Sequence, residues 1–412
     1  MTEQQTTPEL RFTEFKGEWR KSKLADVVNV YDGTHQTPRY TKEGIRFLSV
    51  ENIRSLKSNK FISKEDFEKE FKIYPEYGDI LMTRIGDIGT PKVVNLIEPL
   101  AYYVSLALLK PININSYFLE SLILSPTVQN ELWRKTLHIA FPKKINKNEI
   151  AKVMINYPKN EEQEKIGKLF SKLDHQIELE EEKLELLEQQ KRGYIQKIFS
   201  QELRFKDERG NNHPSWKEMK LMEFLSVIDG DRGKNYPTKN DFMENGHTLF
   251  LSAANVTKQG FSLNQSQYIT KEKSNSMGKG KLNINDVVLT TRGSIGNVFL
   301  YNEKITKKKP FVRINSGMLI LRTEDYIKSF FITKYLASPL GKKQIDLLSF
   351  GSAQPQLTKK DIELYKIKLP VRQEQKQISL FLKKIDKTIE KQSSKVELLK
   401  QRKQGLLQKM FV

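Results

Sequence analysis

The sequence predicts a mixed α/β tandem duplication. Two globular α/β segments are each followed by a long helix, and the two helices pair as an antiparallel coiled coil about a pseudo-twofold axis. Three observations carry this expectation. "QKRGYIQKIF" at 190–199 returns as "RKQGLLQKMF" at 402–411. A shift of 212 residues brings Pro158 onto Pro370, Asp174 onto Asp386 and Gly193 onto Gly405, and 18 of the 42 positions from 158 to 199 are identical. Weaker echoes lie upstream of each copy, with offsets that drift as loops change length.

Those echoes order the globular segments. "FLSVENI" (47–53) resembles "FLSAANV" (250–256), and "GDILMTRIGDIG" (78–89) resembles "NDVVLTTRGSIG" (285–296). Ser125-Pro126 resembles Ser338-Pro339, and Trp19 and Trp216 open the two halves in similar basic surroundings. Strand-prone runs are "RFLSV", "DILMTRI", "KVVNLI" and "YYVSLALL" in the first half, and "TLFLSA", "DVVLTT", "NVFLY" and "GMLILR" in the second. "YDGTHQTP" and "IDGDRGKNYP" are turn clusters between them. "NSYFLESLILSPTVQNELWRKTL" and "EDYIKSFFITKYLASPLGKKQIDLL" read as helices late in each segment.

The long helices follow from apolar residues at alternating three- and four-residue steps. The first seam is Ile166, Phe170, Leu173, Ile177, Leu184, Leu187, Tyr194 and Ile198, broken by Glu180 and Lys191. The second is Ile378, Leu382, Ile385, Ile389, Val396, Leu399, Leu406 and Met410, broken at the equivalent Gln392 and Lys403. One helix is net acidic and the other basic, which suits pairing with each other, and Glu180 is expected near Lys403. The predicted segments are 1–160, 161–206, 207–373 and 374–412, with residues 1–10 a disordered tail.

Composition narrows the function. The formal charge is +20, divided as +5 over 1–160, −2 over 161–206, +11 over 207–373 and +6 over 374–412. Such a balance points to a polyanion partner, most simply nucleic acid; a lysine-rich composition is the bland alternative. Without cysteine the chain has no disulfide, thiolate metal site or cysteine nucleophile. It shows no run long and apolar enough for a membrane span, and its first residues lack the pattern of a secretory signal.

Catalytic signatures are absent from the string. No GxxxxGK[ST] occurs, and "MGKGKL" (277–282) lacks the third glycine of a dinucleotide turn, so it reads as a flexible loop. The dipeptide Pro-Pro of an amino-methyltransferase motif is missing. Glu70–Lys72 and Glu374–Lys376 match a nuclease-like Glu-x-Lys triplet only as a chain with 29% charged residues would by accident. The histidines are scattered, His35 in a turn and His138 in a predicted helix.

What remains is a basic duplex reader. The turn 32–40 offers His35, Gln36, Arg39 and Tyr40, and its counterpart 229–237 offers Arg232, Lys234, Asn235 and Tyr236. Gln and Asn can pair bidentately with adenine, Arg and Lys with guanine. Arg84 and Arg292 stand beside glycines, where backbone can approach phosphate. Lys143 and Lys144, then Gln354 and Gln356, close the candidate set.

The layout resembles the specificity subunit of type I restriction-modification enzymes. The strings that carry the likeness are "GTHQTP", "LSVENI", "TRIGDIG", "LLKQRKQGLLQKMF" and the Pro-x-x-x-Glu-Gln before each helix ("PKNEEQEKI", "PVRQEQKQI"). The resemblance spans essentially the whole chain. It implies two target recognition domains, each reading half of a bipartite, asymmetric double-stranded DNA site, with the helices as spacers. It also implies a cytoplasmic, DNA-associated bacterial complex with two modification and two restriction subunits. No cofactor is expected on this chain; S-adenosylmethionine belongs to the modification subunits, and ATP and Mg to the restriction subunits. A DNA-bridging scaffold without sequence preference, and a divergent methyltransferase or nuclease, are the other classes left open.

Overall fold

The computed structural model describes residues 7–258, 260–323, 325–349 and 356–412. The chain divides into two units, Met1–Lys183 with Gln392–Val412, and Leu184–Lys391. The division passes through both long helices, Asn160–Phe199 and Arg372–Lys409, so each unit holds one globular segment and a stretch of each helix.

In the first unit an antiparallel sheet runs in the order Val28–Asp32, Leu106–Pro111, Ile80–Ile85, Asp87–Val93. A second sheet runs Phe61–Ile62, Ile45–Leu48, Leu100–Tyr102, its last pair parallel. Ile80 and Met82 face one apolar cluster and Leu81 faces another. Burial on both faces is why this strand reads as an unbroken apolar run rather than an alternating one. "YYVSLALL" is two strands, because the chain turns at Val104, whose amide donates to the Thr34 carbonyl at 2.9 Å.

The second unit repeats this plan. Ser226–Asp229, Met318–Arg322, Val287–Thr290 and Val298–Leu300 form the antiparallel sheet. Gln267–Ile269, Thr248–Leu251 and Val312–Ile314 form the smaller one, again with a parallel final pair. In both units the late helical stretch breaks at the Ser-Pro dipeptide. Pro126 and Pro339 occupy first helical positions, where a missing N–H costs nothing. Ser125 and Ser338 accept hydrogen bonds from Val128 N and Gly341 N.

The Glu-Gln pair at the start of each long helix has a physical reason. Gln163 Nε2 donates to the Pro158 carbonyl at 2.9 Å, and Gln375 Nε2 to that of Pro370 at 2.7 Å. Glu162 is clamped by Arg11 through two 2.7 Å bonds. Glu374, fully buried, is clamped by Arg204 at 2.7 and 2.8 Å and also accepts from Trp216 Nε1 at 3.0 Å. These are fork-on-carboxylate pairs that fix where the helix leaves its globular segment.

The seam residues are buried or half-buried, apart from Tyr194, which is 38% exposed and stands edge-on to Phe381. In the first unit Ile166 and Phe170 join Trp19, Phe118 and Phe411 in the main core. In the second, Ile198, Ile378 and Leu382 join Trp216 and Phe331. Within each unit the helix stretches run antiparallel, as the ion pairs show. Lys403 meets Asp174 at 2.5 Å, and Lys191 meets Asp386 at 2.7 Å. The expected Glu180–Lys403 contact is not made. Glu180 instead accepts from Gln392 Nε2 at 2.6 Å and pairs with Lys395 Nζ at 2.5 Å. Lys395 precedes Lys403 by two helical turns, roughly 12 Å, so the register rules out both contacts for one side chain. Asp386 also holds the half-buried Lys334 at 2.6 Å. Burial pushes the Asp386 carboxyl up, but Lys334 and Lys191 outweigh it and hold it below the usual carboxylate range.

The expected tail needs correction. Residues 1–6 lie outside the described residues, but Pro8 is buried and Leu10 N donates to the Lys409 carbonyl at 2.8 Å. Glu9 pairs with Lys409 at 2.7 Å. The segment satisfies a carbonyl at the end of the helix, which a free tail would not do. No helix among the described residues is long and apolar enough to cross a membrane.

Candidate nucleic-acid interface

Both candidate turns pivot on a glycine. A Cβ on Gly33 would lie 2.5 Å from the Tyr102 carbonyl oxygen, and one on Gly230 would lie 2.1 Å from that of Asn315. Only glycine allows the loop to cross the neighbouring chain this closely.

In the first unit the turn then exposes His35, Gln36, Arg39 and Tyr40. Tyr40 stands edge-on to Phe47 at 5.7 Å, which fixes the ring while leaving 47% of the residue exposed. Arg84 departs from expectation. It is 5% exposed, donates from Nε to the Ile145 carbonyl at 2.9 Å and pairs with Asp32. It is a core brace, because its strand runs beneath the loop that carries Lys143 and Lys144. Those two lysines are exposed.

The two arginines do not occupy equivalent places. Thr90 N donates to Thr83 Oγ1 and Asn297 N to Thr290 Oγ1, so Thr83 corresponds to Thr290. Ile145 N binds the Arg84 carbonyl as Leu357 N binds that of Thr291. Arg84 therefore matches the buried Thr291, and Arg292 lies one position further on, in the open. The alignment of 78–89 with 285–296 sets the same register, so Arg84 and Arg292 are not counterparts although each follows a threonine.

In the second unit Arg292 Nε donates to Gln356 Oε1 at 3.2 Å, bringing two candidates together at the surface. Gln354 lies outside the described residues. Arg232 and Lys234 are exposed beside a cavity of about 480 Å³ that Lys279 also lines. Asn235 and Tyr236 serve the loop instead. Asn235 Nδ2 donates to the Ser276 carbonyl at 2.7 Å, and half-buried Tyr236 stands edge-on to Phe250. The "MGKGKL" stretch is tied down rather than free. Asp231 accepts from Gly233 N at 2.7 Å and Gly278 N at 2.5 Å, and buried Arg313 donates to the Met277 and Lys279 carbonyls. Hydrogen bonds from the Gly233 amide first, then Gly278, hold the Asp231 carboxyl below its ordinary value.

Sequence reading missed the segment after Arg134. The helix ends there, so His138 is not helical, and the loop projects Ile139 and Phe141 fully into solvent. The signal was two large apolar residues, Ile139 and Phe141, inside the basic stretch "HIAFPKK".

Duplicated α/β units that display cations and amides on glycine-pivoted loops fit the class of DNA-recognition proteins. The chain belongs to the family described as type I restriction modification DNA specificity domain, which matches it twice, over 16–189 and 214–400, and it is a specificity subunit of such a system. Over 96% of its length it is 25% identical to a Methanocaldococcus jannaschii chain assigned as the specificity subunit of the type I restriction enzyme MjaX, of which 93% is covered. It is 28% identical to the type I restriction enzyme MjaVIII specificity subunit of the same organism, over 64% of this chain and 63% of that one. In fold it is similar to the type I restriction-modification S subunit of M. genitalium, with a TM-score of 0.62 and 16% identity, covering 98% of this chain and 99% of that one.

Proposed function

We propose that each globular segment is a target recognition domain reading one half of a bipartite, asymmetric DNA site. The long helices then act as spacer and as docking surface for two modification subunits, with two restriction subunits joining the complex. The boundaries proposed are 1–160, 161–206, 207–373 and 374–412. One observation carries the reading: two units share sheet order and helix starts, yet their glycine-pivoted loops differ residue by residue. A common scaffold with unlike loops suits two different half-sites.

Contacts are proposed through His35, Gln36, Arg39, Tyr40, Lys143 and Lys144 on one half-site. Arg232, Lys234, Arg292 and Gln356 serve the other. Methyl transfer with S-adenosylmethionine and ATP-driven cleavage with Mg reside in the partner subunits, and this chain performs no catalysis of its own. It works in the cytoplasm, on DNA.

The test is co-expression with a modification subunit in a methylation-free host, followed by modification-sensitive sequencing. A split methylated motif that vanishes without this chain is expected, and replacing residues 1–160 should change one half of it only. Binding with a steep salt dependence but no preferred site would favour a DNA-bridging scaffold instead.

A further inference from the structure

Resting on that DNA-recognition reading, we propose that the loop 138–143 is an apolar wedge, with Phe141 and Ile139 entering between stacked base pairs of bound duplex DNA.

The loop is braced at its base and bare at its tip. Leu137 N donates to the Lys144 carbonyl and Gly86 N to the Lys143 carbonyl, both at 2.8 Å. Arg84, buried beneath, holds the Ile145 carbonyl at 2.9 Å. Trp133 is flanked by the His138 ring, centroids 4.3 Å apart, and by Lys143 Nζ, 4.4 Å from its ring centre. His138 Nε2 bonds the Trp133 carbonyl at 3.0 Å. Beyond these anchors Ile139 is 100% and Phe141 103% exposed. A braced projection ending in two solvated apolar side chains is a feature that folding alone does not require.

Charge identifies the occupant. No acidic residue occurs from Leu132 to Asn148, whereas Arg134, Lys135, Lys143, Lys144 and Lys147 do. Glu131 and Glu149 flank the stretch and pair with Arg134 and Lys152, so the cationic character at the tip comes from Lys143 and Lys144, which a protein groove for Phe and Ile does not require. A duplex does, since its apolar base stack lies between two anionic rails. Apolar wedges of this kind partly unstack a step and kink the duplex by roughly 20–90°. The brace supplies the rigidity that such insertion needs.

The experiment closes a singly nicked plasmid with ligase in the presence of the full chain and its modification subunits. Linking number, permanganate reactivity of thymines and plasmid affinity are then read. Wild type should shift the linking number and expose reactive thymines. The double variant Ile139→Ala with Phe141→Ala should lose both effects and bind about tenfold more weakly, while Phe141→Leu should retain them. Both side chains are solvated, so the variants keep the wild-type melting temperature. Tight binding by wild type with no shift, or an unchanged double variant, overturns the wedge while leaving DNA recognition intact. A double variant that releases the modification subunit but still unstacks DNA makes the tip a protein contact and also overturns it. Failure of wild type to bind any duplex overturns the recognition reading and the wedge together.

Discussion

Lys403 Nζ lies 2.5 Å from the Asp174 carboxylate, and the pair one repeat away, Lys191 with Asp386, closes at 2.7 Å. Each lysine occupies a position where the apolar seam is interrupted, so the polar breaks fix the helix register by charge. Asp174→Lys and Lys403→Asp should each destabilise the first unit by about 1 kcal/mol. The double exchange should recover most of that loss. Urea unfolding of the four proteins measures the coupling, which should shrink in high salt.

The Arg204–Glu374 pair predicts a larger effect. Arg204→Ala leaves a fully buried carboxylate with Trp216 as its remaining side-chain partner among the described residues, at a cost of about 3–5 kcal/mol. Arg204→Lys should recover little, because an ammonium cannot reproduce two parallel bonds. Thermal unfolding followed by tryptophan fluorescence tests both variants.

Arg84 and Arg292 should separate by phenotype although both stand in Thr-Arg strings. Arg84→Ala should cost about 3 kcal/mol of stability, through lost charged hydrogen bonds to Ile145 and Asp32. Arg292→Ala should leave the melting temperature unchanged and weaken target binding by about 1–3 kcal/mol. Calorimetry with a DNA-binding titration on the same preparations distinguishes them.

Glu120 gives a pH prediction. Burial raises its pKa, opposed by the hydrogen bond from Val93 N at 2.9 Å. Below the unfolded carboxyl value of about 4.3 both states are protonated and it costs nothing. As pH rises past that value the unfolded chain ionises first, so stability falls until the folded carboxyl also ionises. Glu120→Gln keeps the bond to Val93 and removes the fall. The variant should match wild type near pH 4 and melt at a higher temperature at pH 7.

The duplication and the two long helices were legible in the sequence because period and repetition survive substitution. Ile166, Phe170, Ile378 and Leu382 are all buried as their spacing predicts. Side-chain engagement inside loops was not legible. Arg84 and Asn235 carry the residue types of base readers, but their hydrogen bonds go to carbonyls distant in sequence, at Ile145 and Ser276. Local strings cannot show such partners. Register was not legible either: Glu180 and Lys403 share a seam, and an antiparallel pairing leaves open the axial offset that brings Glu180 to Lys395 and Asp174 to Lys403.

The first unit draws its core from both ends of the sequence. Leu407, Met410 and Phe411 pack with Trp19 and Phe118, and Asn156 Nδ2 donates to the Val412 carbonyl at 3.1 Å. The second unit is drawn from the continuous stretch Leu184–Lys391. During synthesis, therefore, the half that leaves the ribosome first must wait, with its Trp19 cluster unfilled, until the other half has been made. Translation that stops short of residue 392 supplies every residue of the second unit but leaves the Trp19 cluster of the first without Leu407, Met410 and Phe411, apolar surface of the kind that makes incomplete chains prone to aggregate.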